Sequence, residues 1–242
     1  MNDNLSNLSE HSMAYHQQAD VYKLFSQAED YPALVYQVLK EQLQNQRVLD
    51  LGCGNGKYTS LLTPYVQSII GGDQSLSQLQ QFEPLSSIND YQWVQLDGRH
   101  LPFKNHQFDC VLACWMLGTI TDMQSRQQVL NEMKRTVKKT GHHRNQDNPA
   151  RIILVENAPD SEFEILRGRH SSIDTRTADY NGWLEEQGFI ATYLLDSFFQ
   201  FQSDEQAQKV FSQIWQQRLT SQNIQARIEH QIVIYEWKNL EI

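Results

Sequence analysis

Cysteine is scarce in this sequence, with Cys53, Cys110 and Cys114 the only three in 242 residues. An odd and small number excludes a disulfide framework. The thiols read as buried and free, which suits a reducing compartment. Metal-ligand spacing is missing too: neither a CxxC pair nor an HExxH motif occurs, so no metal site is expected. Long apolar runs are absent. The longest, VLACWML at 111–117, falls far short of the roughly 18 residues that a membrane span needs. The opening MNDNLSNLSEHS is polar and has no apolar core of the kind a secretory signal requires. Positive charge is in deficit, with 20 Lys and Arg against 29 Asp and Glu, a net charge of -9. Affinity for a polyanion comes mainly from Lys and Arg neutralising phosphates. Nucleic acid is therefore not an expected partner, and His142, His143 and Arg144 form only a weak local basic density. A soluble, cytoplasmic protein is expected, with no membrane contact.

What the sequence does contain is alternation. Residues 1–12 are polar and read as a loose end. SMAYHQQADVYKLF (12–25) sets Met13, Tyr15, Ala19, Tyr22 and Leu24 in rough helical register. PALVYQVLKEQL (32–43) reads as a second helix with Pro32 in its first turn. Seven strands then read as RVLDL (47–51), VQSIIGGD (66–73), YQWVQLD (91–97), FDCVLACWM (108–116), RIILVEN (151–157), FIATYLL (189–195) and QIVIYEW (231–237). Helices read near Lys57, over 75–82, from Thr121 to Lys139, and over 178–187 ending at Gly188. In the helix from Thr121, Thr121 and Gln124 fit a capping box, and Met123, Leu130, Met133 and Val137 share a face. A polar, Gln-rich helical segment reads over about 204–227, and 141–150 reads as a mobile loop. This order predicts an α/β fold: a Rossmann-like, mostly parallel sheet with helices on both faces.

Residues 48–56, VLDLGCGNG, join the first strand to a glycine-rich turn, with Gly52, Gly54 and Gly56 spaced two apart. In a doubly wound sheet, ligands bind at the carboxyl ends of the strands near the switch point. A dinucleotide fingerprint has a third glycine one residue later, where Lys57 stands here. Asp50 lies at the mouth of the turn, where it would repel a pyrophosphate and attract a cation. The ammonium and sulfonium of S-adenosylmethionine are such cations. Asp73 ends the second strand, placed to accept hydrogen bonds from ribose hydroxyls. Asp97 ends the third, placed to accept from an adenine amino group, and Gly98 lets the base approach. Each aspartate alone could be a helix N-cap; three at the ends of three successive strands are far more specific.

On VLDLGCGNG (48–56), GGDQS (71–75), LDGRHLPF (96–103) and FDCVLACWML (108–117), the chain resembles the class I S-adenosylmethionine-dependent methyltransferase superfamily, in the small-molecule branch often called type 11. The resemblance spans about residues 35–237 in element order and is strongest over 47–117. It implies a seven-stranded sheet whose last strand runs antiparallel, with QIVIYEW in that place. It implies an N-terminal helical cap over 1–30 and a methyltransferase domain over 31–242; the helical insertion read at 204–227 departs from the family pattern, which often has a short hairpin there. It implies that Asp50, Gly52, Cys53, Gly54, Asn55 and Gly56 surround the methionine moiety, and that Asp73 with Gln74 binds the ribose. Asp97 with Gly98 would bind adenine. The backbone of Cys114 and Trp115 would lie beside the methionine ammonium. Tyr15 and Tyr22 resemble aromatics of a cap that closes over the cofactor. Within the turn, Cys53 and Lys57 read as side-chain bystanders, since such a turn works through its backbone.

No general base stands out. Glu156, at the end of the fifth strand, Tyr15 and His170 are the candidates. Arg167, Arg169 and His170 read either as a site for an acidic substrate or, preferably, as surface charge. The function expected is methylation of a small-molecule acceptor, with S-adenosyl-L-methionine consumed and S-adenosyl-L-homocysteine released. The alternatives are an RNA or protein methyltransferase, a non-catalytic S-adenosylmethionine-binding protein, and a nucleotide-dependent oxidoreductase, which Asp50 and Lys57 disfavour. The acceptor, the atom methylated and the oligomeric state are open at this point.

Overall fold

The computed structural model describes residues 15–82, 91–139, 150–215, 219–221 and 223–238. Met13, the polar start at 1–12 and the basic residues His142, His143 and Arg144 lie outside them. Among the described residues, no helix is long and apolar enough to cross a membrane.

The strands are β1 (Arg47–Leu51), β2 (Ser68–Asp73), β3 (Tyr91–Gln95), β4 (Cys110–Cys114), β5 (Arg151–Asn157), β6 (Ile190–Gln200) and β7 (Arg227–Lys238). They form one sheet in the order β3-β2-β1-β4-β5-β7-β6. β1 to β5 are mutually parallel, while β7 runs antiparallel to both β5 and β6. β1 and β5 are near-continuous aliphatic runs because helices cover both faces of a parallel sheet. The order of strands reverses between β1 and β4, so a crevice opens at their carboxyl ends. Register pairs Leu51 with Gly72, which brings the turn after β1 up against Asp73.

Three cores hold this frame. One face of the sheet packs α5 (Met123–Thr136) and α7 (Arg176–Glu186) through Leu130, Met133 and Leu184. The other packs α2 (Leu34–Gln42) and α3 (Lys57–Leu62) through Leu39 and Leu62. The third core is aromatic. It joins α1 (Ala19–Ala28), α6 (Glu162–Leu166), the end of β6 and α8 (Asp204–Trp215) through Phe25, Phe163, Phe199, Phe211 and Trp215. A short helix, α4 (Leu76–Leu79), follows β2.

Four local expectations change. Pro32 stands ahead of α2 instead of in its first turn. The cap is Asp30, whose carboxylate accepts from the N–H groups of Leu34 (3.1 Å) and Val35 (2.9 Å). The N-cap of α5 is Asp122, accepting from Ser125 N–H at 2.8 Å, so Thr121 lies one residue outside. Both residue types cap well, and the carboxylate gains further from the helix dipole. Met123 is half exposed, and Val129 takes its place on the buried face. The segment read as polar from 204 is amphipathic: α8 buries Ala207, Val210, Phe211, Ile214 and Trp215.

Candidate active site

The turn after β1 runs at positive φ through Gly52 (+77°), Gly54 (+57°) and Gly56 (+78°). L-residues pay about 1–2 kcal/mol for that conformation. Space forbids a side chain as well. A Cβ at Gly56 would stand 1.9 Å from the Phe82 ring, and one at Gly52 would stand 2.2 Å from the Met116 side chain. The turn is thus bare backbone, with Tyr15, Met116 and Phe82 laid over it.

Two buried carboxylates face this backbone. Asp50 is 2% exposed and accepts from Thr59 Oγ1 at 2.5 Å. Burial pushes its carboxyl up to about 6, with Asp73 adding to the rise. Asp73 is 4% exposed. Its Oδ1 accepts from Ser75 N–H at 2.8 Å. Its Oδ2 accepts from Gly54 N–H at 2.9 Å and from the Tyr15 hydroxyl at 2.7 Å. Burial, then Asp73, holds the Tyr15 phenol well above its ordinary range. These four donors are all neutral. Two buried carboxylates with only neutral hydrogen-bond donors among the described residues form a cradle suited to a ligand that brings its own positive charge.

The remaining cofactor candidates are brought together less evenly. Asn55 is half-buried in the turn. Cys53 packs its sulfur into the space left by Gly71, 3.0 Å from where a Cβ would stand, and burial pushes its thiol well up. Gln74 and His16 meet through their Nε2 atoms at 3.3 Å. Asp97 is engaged by Arg99, whose Nε and Nη2 reach both its oxygens at 2.6–3.1 Å. That guanidinium holds the Asp97 carboxyl below its usual range. Gly98 follows, with Val129 3.4 Å from the position of a Cβ. Cys114 ends β4, and Trp115 takes φ +50° while donating its N–H to Val155 O at 2.7 Å. A non-glycine residue held there costs about 1–3 kcal/mol, a kind of strain that clusters at functional sites. Its ring lies 6.1 Å from those of Tyr58 and His230. Tyr22 is buried and meets Tyr15 edge-on at 4.8 Å.

The three candidate bases separate. Tyr15 covers the turn. Glu156 is 4% exposed at the end of β5, accepts from Tyr180 OH at 2.7 Å, and is pushed up to about 7 by burial. His170 lies in the loop after α6, where its Nδ1 pairs with Ser172 Oγ at 2.6 Å.

Two side-chain roles read from the sequence are corrected. Lys57 is no bystander: its ammonium donates to the carbonyls of Ser26 (2.7 Å) and Glu29 (2.5 Å), binding the end of α1 to the glycine turn. Arg167 is not surface charge. It is 9% exposed, stacks 5.0 Å over Phe163 and 5.7 Å over Trp215, and pairs with Glu164 at 3.5 Å. His230 escaped the sequence reading entirely. It is fully buried, and its Nε2 meets Asn157 Oδ1 at 2.9 Å. The signal was alternation: Ile228, His230, Ile232 and Ile234 occupy the inward positions of β7.

A doubly wound sheet with a glycine turn and two carboxylates at its switch point has the architecture of α/β proteins that hold ligands in that crevice. Residues 49–144 match the family model described as a methyltransferase domain. A ubiquinone/menaquinone biosynthesis C-methyltransferase from Haemophilus ducreyi is 29% identical over 105 residues, 40% of this chain and 39% of that protein. A tRNA U34 carboxymethyltransferase from Nautilia profundicola is 29% identical over 159 residues, 61% of this chain and 48% of that protein. The chain thus spans less than half the length of these curated relatives. The N-methyltransferase NodS of Bradyrhizobium japonicum, solved with S-adenosyl-l-homocysteine, shares the fold with a TM-score of 0.56 at 13% identity, over 94% of this chain and 99% of that one. Residues 49–144 are thus similar to methyltransferase domains, and the chain shares its fold with a methyltransferase solved with S-adenosyl-l-homocysteine.

Proposed function

We propose that this chain transfers the methyl group of S-adenosyl-L-methionine to a small-molecule acceptor. The observation that carries the reading is the pair of buried carboxylates, Asp50 and Asp73, around a positive-φ glycine turn with neutral hydrogen-bond donors. Asp50 would offset the charge of the methionine end, and Asp73 would accept from the ribose. Asp97 is the proposed adenine partner, which requires Arg99 to share its carboxylate. The backbone of Cys114 and Trp115 would flank the ammonium. Bound, the cofactor supplies an activated methyl group. The chain's task is then to align a nucleophile and exclude water. α1, carrying Tyr22 and tied down by Lys57, is suited to that exclusion. Glu156 is a candidate proton acceptor, since burial holds it near neutrality.

The small acceptor is supported by the acidic balance of the chain. The tRNA-modifying relative supports RNA as the second reading. Three free cysteines among the described residues support a cytoplasmic setting. Radiolabelled methyl transfer into cell extract tests the acceptor class. Label is expected in the fraction left after macromolecules are removed. Label in RNA or protein would replace the reading with the second, and tight cofactor binding without transfer would make the chain a binder only.

Asp50 gives the reading a pH signature. A cation bound beside it favours its ionised form, so protons compete with the ligand below about pH 6. S-adenosylhomocysteine affinity is expected to fall about five- to tenfold between pH 6.5 and 5, the loss that goes with protonating one group through its pKa. Asp50→Asn is expected to bind more weakly at pH 7 and to show a flat profile over the same range. Calorimetry at four pH values decides it, and a steep profile in the variant would remove Asp50 from the site.

A further inference from the structure

Four buried polar atoms without a hydrogen-bond partner among the described residues, Tyr58 Oη, Trp115 Nε1, His230 Nδ1 and Arg167 Nε, lie along one connected set of side chains, and a fifth, Glu164 Oε1, is ion-paired to Arg167 at 3.5 Å. Ring contacts link these side chains. The Trp115 ring is 6.1 Å from Tyr58 and 6.1 Å from His230; His230 is 4.9 Å from Phe163; Arg167 stacks 5.0 Å over Phe163. Unpaired buried polar atoms cost about 1–3 kcal/mol each, so a cluster of them marks a place where a polar partner belongs. The cluster starts at Trp115, the strained residue beside the glycine turn, and runs away from the turn beneath α1 and α6.

The chemistry of the four atoms is specific. Trp115 Nε1 and Arg167 Nε can only donate. Arg167 engages Glu164 through Nη1, so its Nε edge is the side left for a second carboxylate. His230 is held through Nε2 by Asn157, whose Oδ1 accepts the ring N–H. Nδ1 is then an acceptor with no donor among the described residues. Burial, with Arg167 and Lys57 nearby, holds the ring neutral by pushing its pKa down to about 3. Tyr58 Oη can serve either role.

We infer that this cluster is the acceptor subsite, and that it takes a small carboxylic acid bearing a hydroxyl or amine. The carboxylate sits on Arg167 Nε and Trp115 Nε1, and the O–H or N–H donates to His230 Nδ1. The inference rests on the methyl-transfer reading above and adds the chemical class of the acceptor to it. Arg167 and His230 are binding and positioning groups here. Accepting the nucleophile's hydrogen bond at the neutral Nδ1 fixes which atom faces the turn.

The test uses the full chain loaded with S-adenosylhomocysteine, whose own binding is measured first by calorimetry. A panel of aromatic and aliphatic hydroxy- and aminocarboxylates, each beside its primary amide, is then titrated and followed by melting temperature and calorimetry. Some acids are expected to bind at least tenfold tighter than their amides. Arg167→Lys, which keeps the charge and loses the planar fork, is expected to reduce that preference severalfold. Arg167→Met is expected to abolish it. His230→Phe is expected to remove the discrimination between a hydroxy acid and its deoxy analogue while leaving the acid–amide ratio. A variant that melts well below the wild type is replaced in the comparison by Trp115→Phe, which is expected to weaken acids more than amides. The inference falls if no acid binds the loaded protein, if amides bind as well as acids, or if the preference survives Arg167→Met. Failure of S-adenosylhomocysteine itself to bind would instead overturn the methyl-transfer reading, so the two failures are distinguishable. Binding by every acid, unchanged in all variants, would assign the unpaired atoms to buried water.

Discussion

Asp73→Ala is expected to weaken S-adenosylhomocysteine binding by at least a hundredfold. A ribose diol on this carboxylate makes two hydrogen bonds to a charged acceptor, each worth about 1.5–3 kcal/mol. The buried position amplifies the loss, since the substitution also frees Gly54 N–H and Ser75 N–H from their acceptor. Tyr15→Phe is the informative companion. The Tyr15 hydroxyl occupies Asp73 Oδ2 at 2.7 Å, on the oxygen that also holds Gly54. An incoming diol must take that oxygen from it. Removing the hydroxyl is therefore expected to leave cofactor affinity unchanged or to raise it up to tenfold, about the worth of one such bond. Calorimetry on the two variants and the wild type, with NAD as a control ligand, reads both effects. Wild-type affinity in Asp73→Ala would take the ribose off this residue. Tighter binding of NAD would return the glycine turn to pyrophosphate chemistry.

The parts of this arrangement that were legible in the sequence are those written locally. β1 and β5 match their aliphatic runs to the residue, because strands buried on both faces need no alternation. The aspartates at the ends of β1 and β2 were legible because a carboxylate beside a bare glycine turn is chemically unusual. Other features depend on neighbours far along the chain. Tyr15 reaches Asp73 across 58 positions, and nothing near either residue announces the bond. Asp97 pairs with Arg99 two residues on, a pairing too common on surfaces to read as a feature of a site. The caps failed differently: cap-competent residues stand side by side at 121–122, and local preference does not choose between them. Arg167 was misread because a basic cluster is usually solvated. The aromatic face that buries it is assembled from α6 and α8, about fifty residues apart.

That aromatic face carries the second large effect. Phe163→Ala is expected to destabilise the protein by about 3–5 kcal/mol, the usual cost of truncating a buried phenylalanine to alanine. Phe163 is 1% exposed. Its ring lies 4.7 Å from Phe199, 4.9 Å from His230, 5.8 Å from Trp215, 6.1 Å from Phe211 and 6.2 Å from Phe25. One truncation thus loosens β6, β7, α8 and α1 together. Each kcal/mol shifts the melting temperature of a domain this size by about 2–4 °C, so a drop of about 10 °C is expected. Arg167 also loses the ring beneath its guanidinium, leaving the buried charge to Glu164 and Trp215. Phe163→Leu keeps most of the volume and is expected to recover more than half of the loss. The consequence for function follows from α1. Phe25 anchors it in this core, while Lys57 and Tyr15 bind the same segment to the glycine turn. Loosening one end is expected to increase protease cleavage within α1 before the sheet unfolds. A wild-type melting temperature in Phe163→Ala, with cleavage confined to α1, would mean that the third core folds and opens apart from the sheet. Acceptor binding beneath α1 would then be governed by that local opening and not by global stability.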